Sequence, residues 1–438
     1  MDLADISLVC TALGDWLVVV EALTRCCVAV DLVPLLSDQK IFLRILSQHV
    51  LEALSVEQQP LPFFRSLLSI IHQILRFGDI GWIDVGASLD CPLLPLLHQL
   101  WPRLLKLTEN SLTLADEGSG RALFDIFNSF VSILGSGGSS VDFKDILRYV
   151  SAAIRNVLVA KLPCASAAIK AAAGIIETTK RADDGTVSAI LIDITGIFLD
   201  RLHQPHLQVN GSNNHLLEVF GEDYANCIEE YFNLIHCGLI FCADLLLIRG
   251  HDCGIYQSST LCANVFHLSC FCLKLCRERD PLRSILRTIQ SLFSPTTFKQ
   301  NTDGSSANNM SELLLQEGFA FGSELVSQLL QVLAEGTVSS LCPNLTEALQ
   351  AIITAFCCSN RTVKPGVQLA EECRGWVREN FHRIFLNIPS RSQGGVVNAL
   401  LRFAETRDRR FRSIMQDLGK IAVGEMTDDA LLVYVDSV

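Results

Sequence analysis

The stretch CPLLPLLHQLWPRLLKL, Cys91 to Leu107, places Leu93, Leu94, Leu96, Leu97, Leu100, Leu104, Leu105 and Leu107 at intervals dominated by three and four. GRALFDIFNSFVSILG, Gly120 to Gly135, repeats the pattern with Leu123, Ile126, Phe127, Phe130, Val131 and Leu134. At 3.6 residues per turn such spacing gathers the apolar side chains on one helical face, and the strict alternation that a half-buried strand needs never persists. No strand is expected.

Outward from these two segments the same period fills most of the 438 residues. It breaks at Asp116 to Gly120, Gly135 to Ser140, Leu162-Pro163, Ala182 to Gly185, Gln204 to Asn214, Ser294 to Asn309 and Pro389 to Gly395, where Gly, Pro and small polar residues cluster. Helices of roughly 12 to 25 residues joined by short turns follow, with Gln204 to Asn214 and Ser294 to Asn309 as surface loops. Outer helices start near Pro92, Asp142 and Thr186, spacings of about 50 and 44 residues, close to the roughly 40 to 47 of HEAT and armadillo units. The expected class is all-α, an α-solenoid of HEAT-like helical hairpins, with a large helical bundle as the alternative. Residues 1–90 read as the start of the array, 91–420 as its body, and 421–438 as a tail, either docked or frayed.

Composition narrows the function. Apolar residues make up 49% against 19% charged, which describes a folded chain with a large core. The net charge of −12 repels polyanions, so nucleic acid is not expected as a ligand. Of 17 cysteines, Cys26-Cys27 and Cys357-Cys358 are adjacent pairs whose side chains diverge on a helix, so reduced thiols are expected rather than a disulfide framework. The N-terminus carries Asp2, Asp5 and Asp15 without a basic region, unlike a secretory signal, and a reducing compartment follows. The sequons at Asn210, Asn309, Asn344 and Asn360 would matter only in a secreted chain. The uncharged run Gly254 to Leu273 contains Gln257, Asn264 and His267 and is too polar to be inserted in a membrane.

No constellation supports catalysis. Cys253, Cys262, His267, Cys270, Cys272 and Cys276 form the densest set of potential metal ligands, but no Cys-x2-Cys pair occurs among them, and buried thiols are the expectation. His203 and His206 flank Pro205 with no cysteine nearby. GSGGSS, Gly135 to Ser140, lacks the preceding strand and following Gly-Lys of a phosphate loop and reads as a turn between helices. There is no Gly-x-Ser-x-Gly elbow, His-Glu-x-x-His pair or kinase signature, so neither enzyme nor cofactor nor metal is expected. One charge feature opposes the acidic background: Arg402, Arg407, Arg409, Arg410 and Arg412, interrupted by Glu405 and Asp408, near the start of the last helix. Arg407, Arg409, Arg410 and Arg412 are the candidate partner-binding residues, a solvated face paired with neighbouring carboxylates being the other reading.

From about Cys91 to Lys420 the order of segments resembles the C-terminal half of importin-β-superfamily (karyopherin) nuclear transport receptors, in their transportin-SR and importin-thirteen branch. HQLWPRLLKL (His98 to Leu107) looks like that branch's outer helix with its Trp-Pro, and Gly120 to Gly135 like the inner helix after it. CASAAIKAAAGIIET (Cys164 to Thr178) takes the place of a helix rich in small residues. DYANCIEEYFNLIHCGLIFC (Asp223 to Cys242) resembles a Phe-rich helix after an acidic start, and CRERDPLRSILRTIQSLF (Cys276 to Phe293) a charged turn with its helix. Glu317 to Leu349 resembles the late Gly-containing repeat, and WVRENFHRIFLNIPS (Trp376 to Ser390) with the Arg407 to Leu418 helix the chain end.

The resemblance implies a protein-binding solenoid that imports protein cargo into the nucleus, moves between cytoplasm and nucleus, and meets nucleoporins and the GTPase Ran. No segment resembles the N-terminal arch that holds Ran, so weak Ran binding is expected, from a fragment, a truncated gene model or a reduced paralogue. The arginine-rich inner helix that grips phosphorylated Arg-Ser cargo in transportin-SR receptors is matched here by Arg121 with Asp125, Asn128 and Ser129, which cannot build a guanidinium clamp. An importin-thirteen-like use of broad concave surfaces is the closer analogy. The alternative is a HEAT-repeat scaffold with no dependence on Ran.

Overall fold

The computed structural model describes residues 65–72, 75, 94–109, 114–136, 141–179, 185–204, 214–247, 260–294, 304–336, 339–357, 362–364 and 367–435. The expected early repeats in residues 1–90 fall almost wholly outside these. Among the described residues the fold is helical, and the chain divides into two compact units, Met1–Ile190 and Leu191–Val438.

In the first unit α1 (Leu94–Glu109), α2 (Glu117–Ser136), α3 (Val141–Val159) and α4 (Ala165–Thr179) follow one another, and α5 (Thr186–Leu202) begins. The starts of α1, α3 and α5 fall at or beside the expected Pro92, Asp142 and Thr186. α2 lies along α4, with α3 against both. Phe124, Phe127 and Phe130 of α2 are fully buried, and Trp101 of α1 sits 5.9 Å from Phe127 and 5.7 Å from Phe130 between ring centres. Each such aromatic pair is worth about 0.5–1.5 kcal/mol beyond the area it buries.

The expected break at Asp116 to Gly120 is shorter than the glycines suggest, because α2 is already helical from Glu117. Asp116 accepts the Ser119 N–H at 2.8 Å and receives Arg65 at 2.6 Å, so a capping carboxylate overrides the turn propensity of Gly118 and Gly120. Gly120 is wanted for closeness: a Cβ there would lie 2.7 Å from the Cys164 side chain at the start of α4. The Leu162-Pro163 turn is as expected, with Lys161 in the left-handed region at φ 54°.

The second unit continues α5 from Leu191 and adds α6 (Asn214–Phe220), α7 (Tyr224–Phe241), α8 (Leu261–Leu275), α9 (Arg279–Phe293), α10 (Gly304–Phe319), α11 (Gly322–Ala334), α12 (Cys342–Cys357), α13 (Leu369–Ile384), α14 (Ser390–Glu405), α15 (Arg410–Ala422) and α16 (Leu432–Val435). Alternate helices lie side by side. α7 packs on α9, α9 on α12 and α12 on α14, while α8 packs on α11 and α11 on α13. Rings link these helices: Phe266 to Phe293 and Phe293 to Phe356 at 5.5 Å, then Phe356 to Trp376 at 5.3 Å. Buried hydroxyls find partners, Thr195 with Tyr231 at 3.2 Å and Thr288 with the Phe232 carbonyl at 3.0 Å.

Four details differ from the sequence expectation or resolve it. A two-stranded antiparallel hairpin, β1 (Thr362–Lys364) with β2 (Val367–Gln368), lies between α12 and α13, too short for alternation to register. The loop expected at Ser294 to Asn309 is helical from Gly304, because α10 extends ahead of its apolar period. Pro389 to Gly395 is helical from Ser390, since the buried Gln393 amide donates to the Phe385 and Ile388 carbonyls at 3.0 and 2.9 Å and fixes the turn. The tail is docked as far as Val435, with Tyr434 donating to Asp417 at 2.6 Å.

The packing can be tested at two glycines and one histidine. A Cβ at Gly322 would run into the Trp376 ring, itself held by Phe319 and Phe356, so Gly322→Ala should cost about 2 kcal/mol in denaturant unfolding. Gly375→Ala, with open space around it inside α13, should be neutral or stabilising by up to about 1 kcal/mol. His236, half-buried 3.2 Å from the Ser291 hydroxyl, has its pKa pushed down to about 4, first by burial and then by Arg287. The unfolded chain therefore binds the proton more readily, and stability present above pH 6.5 should be lost as pH falls from there toward 4. His236→Gln should flatten the fall of the urea midpoint across that window.

Candidate partner-binding surface

The candidate arginines span a helix–turn–helix junction rather than the start of one helix. Arg402 lies in the last turn of α14, Arg407 in the turn, Arg409 at the N-cap of α15, and Arg410 and Arg412 in its first turn. The junction forms because α14 closes on itself. The Asp408 N–H bonds the Phe403 carbonyl at 2.9 Å and the Arg407 N–H bonds the Ala404 carbonyl at 3.2 Å, the double closure of a Schellman turn. Glycine normally fills the left-handed position of that turn, and here it is Arg407, at φ 54°.

The four candidates divide in two. Arg410 is committed: its guanidinium holds Asp408 at 2.6 and 3.1 Å, and its carbon lies 4.3 Å from the centre of the Phe403 ring. Arg410 lowers the pKa of Asp408 to about 2 by hydrogen bonding, so this carboxylate stays ionised far into acid. Arg407, Arg409 and Arg412 are exposed and form no ion pair with a carboxylate among the described residues. Three guanidinium groups around a pinned turn can meet an acidic partner, whereas Arg410 orders the turn.

The other sequence candidates have structural duties. Cys262, Cys270, Cys272 and Cys276 are buried, and burial pushes each thiol pKa up, that of Cys276 to about 12. Cys276 donates to Glu278 at 3.2 Å, and Glu278 also accepts from the Tyr224 hydroxyl, so this group fastens the charged turn between α8 and α9 to α7. His267 faces His203 with ring centres 5.4 Å apart, and its pKa is lowered by burial and by that neighbour. Among the described residues no three His, Cys, Asp or Glu side chains are grouped so as to hold a metal. Cys253, His206 and most of GSGGSS lie outside them. Arg121 is paired with Glu117 at 3.1 Å, and Asn128 lies over Gly174 of α4, so this helix face offers no cluster of guanidinium groups among the described residues.

Sequence reading missed the contact between Cys357 and Cys373. The two cysteines come together only because α12 packs on α13, and no spacing rule brings them together. The Arg410–Phe403 stack was missed for the same reason. No helix among the described residues is long and apolar enough to cross a membrane. No protein-family model matches the chain, and no curated protein sequence does.

The left-handed residue gives a local test of the junction. Arg407→Gly should raise stability by about 0.5–1 kcal/mol, because glycine adopts this conformation without steric cost while losing only a weak interaction of the cation with the α14 dipole. Arg407→Ala keeps the steric cost and should not stabilise. Paired urea denaturation curves of the two variants separate these outcomes.

Proposed function

We propose that the chain is an α-solenoid of HEAT-like hairpins that binds partner proteins and carries protein cargo into the nucleus, in the manner of an importin-β-superfamily receptor. The observation that carries this reading is the packing order in the second unit, where alternate helices lie side by side, α7–α9–α12–α14 in one row and α8–α11–α13 in another. Stacked hairpins pack in this way because each leaves an apolar face for the next to cover. A closed bundle would instead pack its helices around one shared core. The colinear likeness from His98 to Leu418 supplies the transport assignment. Binding is favoured over catalysis because the cysteines and histidines that could have carried chemistry are engaged in packing and in fastening turns. Arg407, Arg409 and Arg412 supply an electrostatic docking point for an acidic partner segment, acting mainly on association rate.

The test is a binding series with the 438-residue protein. Nucleoporins should retain it, labelled protein should enter the nuclei of permeabilised cells, and immobilised Ran should hold it weakly whether loaded with GTP or GDP. Charge reversal of Arg407, Arg409 and Arg412 to Glu should slow cargo association several-fold and flatten its salt dependence. Failure both to bind nucleoporins and to enter nuclei would leave the scaffold reading. Tight, nucleotide-sensitive capture by Ran would overturn the expectation of a weak GTPase contact.

A further inference from the structure

We propose that Cys357 and Cys373 form an oxidation site, a thiol pair that a peroxide converts into a disulfide tying the end of α12 to the beginning of α13. Cys357 is the last residue of α12, and Cys373 lies in the second turn of α13, which packs against it. Cys357 is the neighbour that most raises the pKa of Cys373. The Cys357 sulfur also lies 3.9 Å from the Ala370 carbonyl oxygen, three residues before Cys373 on the same helix. Cys272 and Cys276, one helical turn apart at the end of α8, are engaged differently, since Cys276 directs its thiol to Glu278 at 3.2 Å.

The two sulfurs differ in access, which sets their roles. Cys357 is partly exposed, whereas Cys373 is fully buried. Its hydrogen bond with Cys357 and its burial hold the Cys373 thiol protonated, so Cys357 is the sulfur that meets the oxidant. In the first step the Cys357 thiolate attacks one peroxide oxygen; the O–O bond breaks, and the leaving hydroxide takes a proton to become water, giving a sulfenic acid. In the second, Cys373 gives up its proton as its sulfur attacks that of Cys357; the S–S bond forms, the S–O bond breaks, and hydroxide with that proton leaves as a second water. The dithiol loses two electrons and the peroxide gains them. The covalent loop so closed contains β1 and β2, so oxidation restrains the connection between α12 and α13.

The test uses the full-length protein and hydrogen peroxide. After brief exposure, blocking of the remaining thiols and proteolysis without reductant, mass spectrometry should find a Cys357–Cys373 cross-link that dithiothreitol reverses. The oxidised protein should melt about 5 °C higher, since the link restricts the unfolded chain. Cys358→Ser should retain the link and Cys357→Ser should abolish it. A bridge through Cys358 or Cys342 in its place would overturn the proposal. So would Cys357 proceeding to sulfinic acid in protein that remains folded by circular dichroism while Cys373 stays reduced.

Discussion

The second unit depends on α9 being covered on more than one flank. Pro281, Leu282, Ile285, Leu286, Ile289, Leu292 and Phe293 are buried along with Ser284, Thr288 and Ser291, so little of this helix beyond its charged positions meets water. α7 covers one flank and α12 another, and Thr288 donates its hydroxyl to the Phe232 carbonyl within the contact with α7. Burying a large aliphatic or aromatic side chain gains about 1.5–3 kcal/mol, so a helix with this many depends on both neighbours for its stability. Neither α7–α9 nor α9–α12 alone could satisfy it. The side-by-side rows are the geometric consequence, and the ring contacts from Phe266 through Phe293 and Phe356 to Trp376 are how the rows are held together.

Close packing of this kind transfers the burden to the turns. Among the described residues, three helix ends close through a left-handed residue with a reach-back bond: Leu162 N–H to Val157, Asp408 N–H to Phe403 and Glu425 N–H to Lys420, at 3.1, 2.9 and 2.8 Å. The left-handed residues are Lys161, Arg407 and Gly424. A side chain in that conformation costs about 1–2 kcal/mol, whereas a cation near a helix C-terminus contributes typically about 0.3–1 kcal/mol. Glycine is therefore the more stable choice. Lysine and arginine at two of three such sites place positive charge where the fold itself asks only for conformational freedom.

Much of the fold was legible because helical burial leaves a periodic mark. The leucines of Cys91 to Leu107 and the phenylalanines of Gly120 to Gly135 announce their helices, and the starts of α1, α3 and α5 lie where the spacing puts them. Periodicity fails where a side chain decides a boundary that propensity leaves open. Asp116 starts α2 through a run of glycines, and buried Gln393 pins a turn whose residues look like loop. The small hairpin before α13 has too few residues for a pattern to accumulate. The candidate surface was legible only as a charge run. Its division into Arg410, stacked on Phe403 and held by Asp408, and three exposed arginines depends on a turn geometry that charge spacing does not encode.

The same distinction separates the two kinds of cysteine. Cys262, Cys272 and Cys276 lie where helical burial alone would put a small apolar residue, and raised pKa values keep their thiols protonated and unreactive. Cys357 differs in being partly exposed at a helix end, with a second sulfur on the helix packed against it rather than on its own helix. Burial explains Cys262 and Cys272, since a thiol packs as a small hydrophobe, and Cys276 adds its bond to Glu278. Burial does not by itself require a thiol at position 373, on the helix packed against α12. A partly exposed thiol facing a second sulfur across a helix contact is thus additional to what packing demands, and it stands beside a connection that contains a hairpin rather than a plain turn.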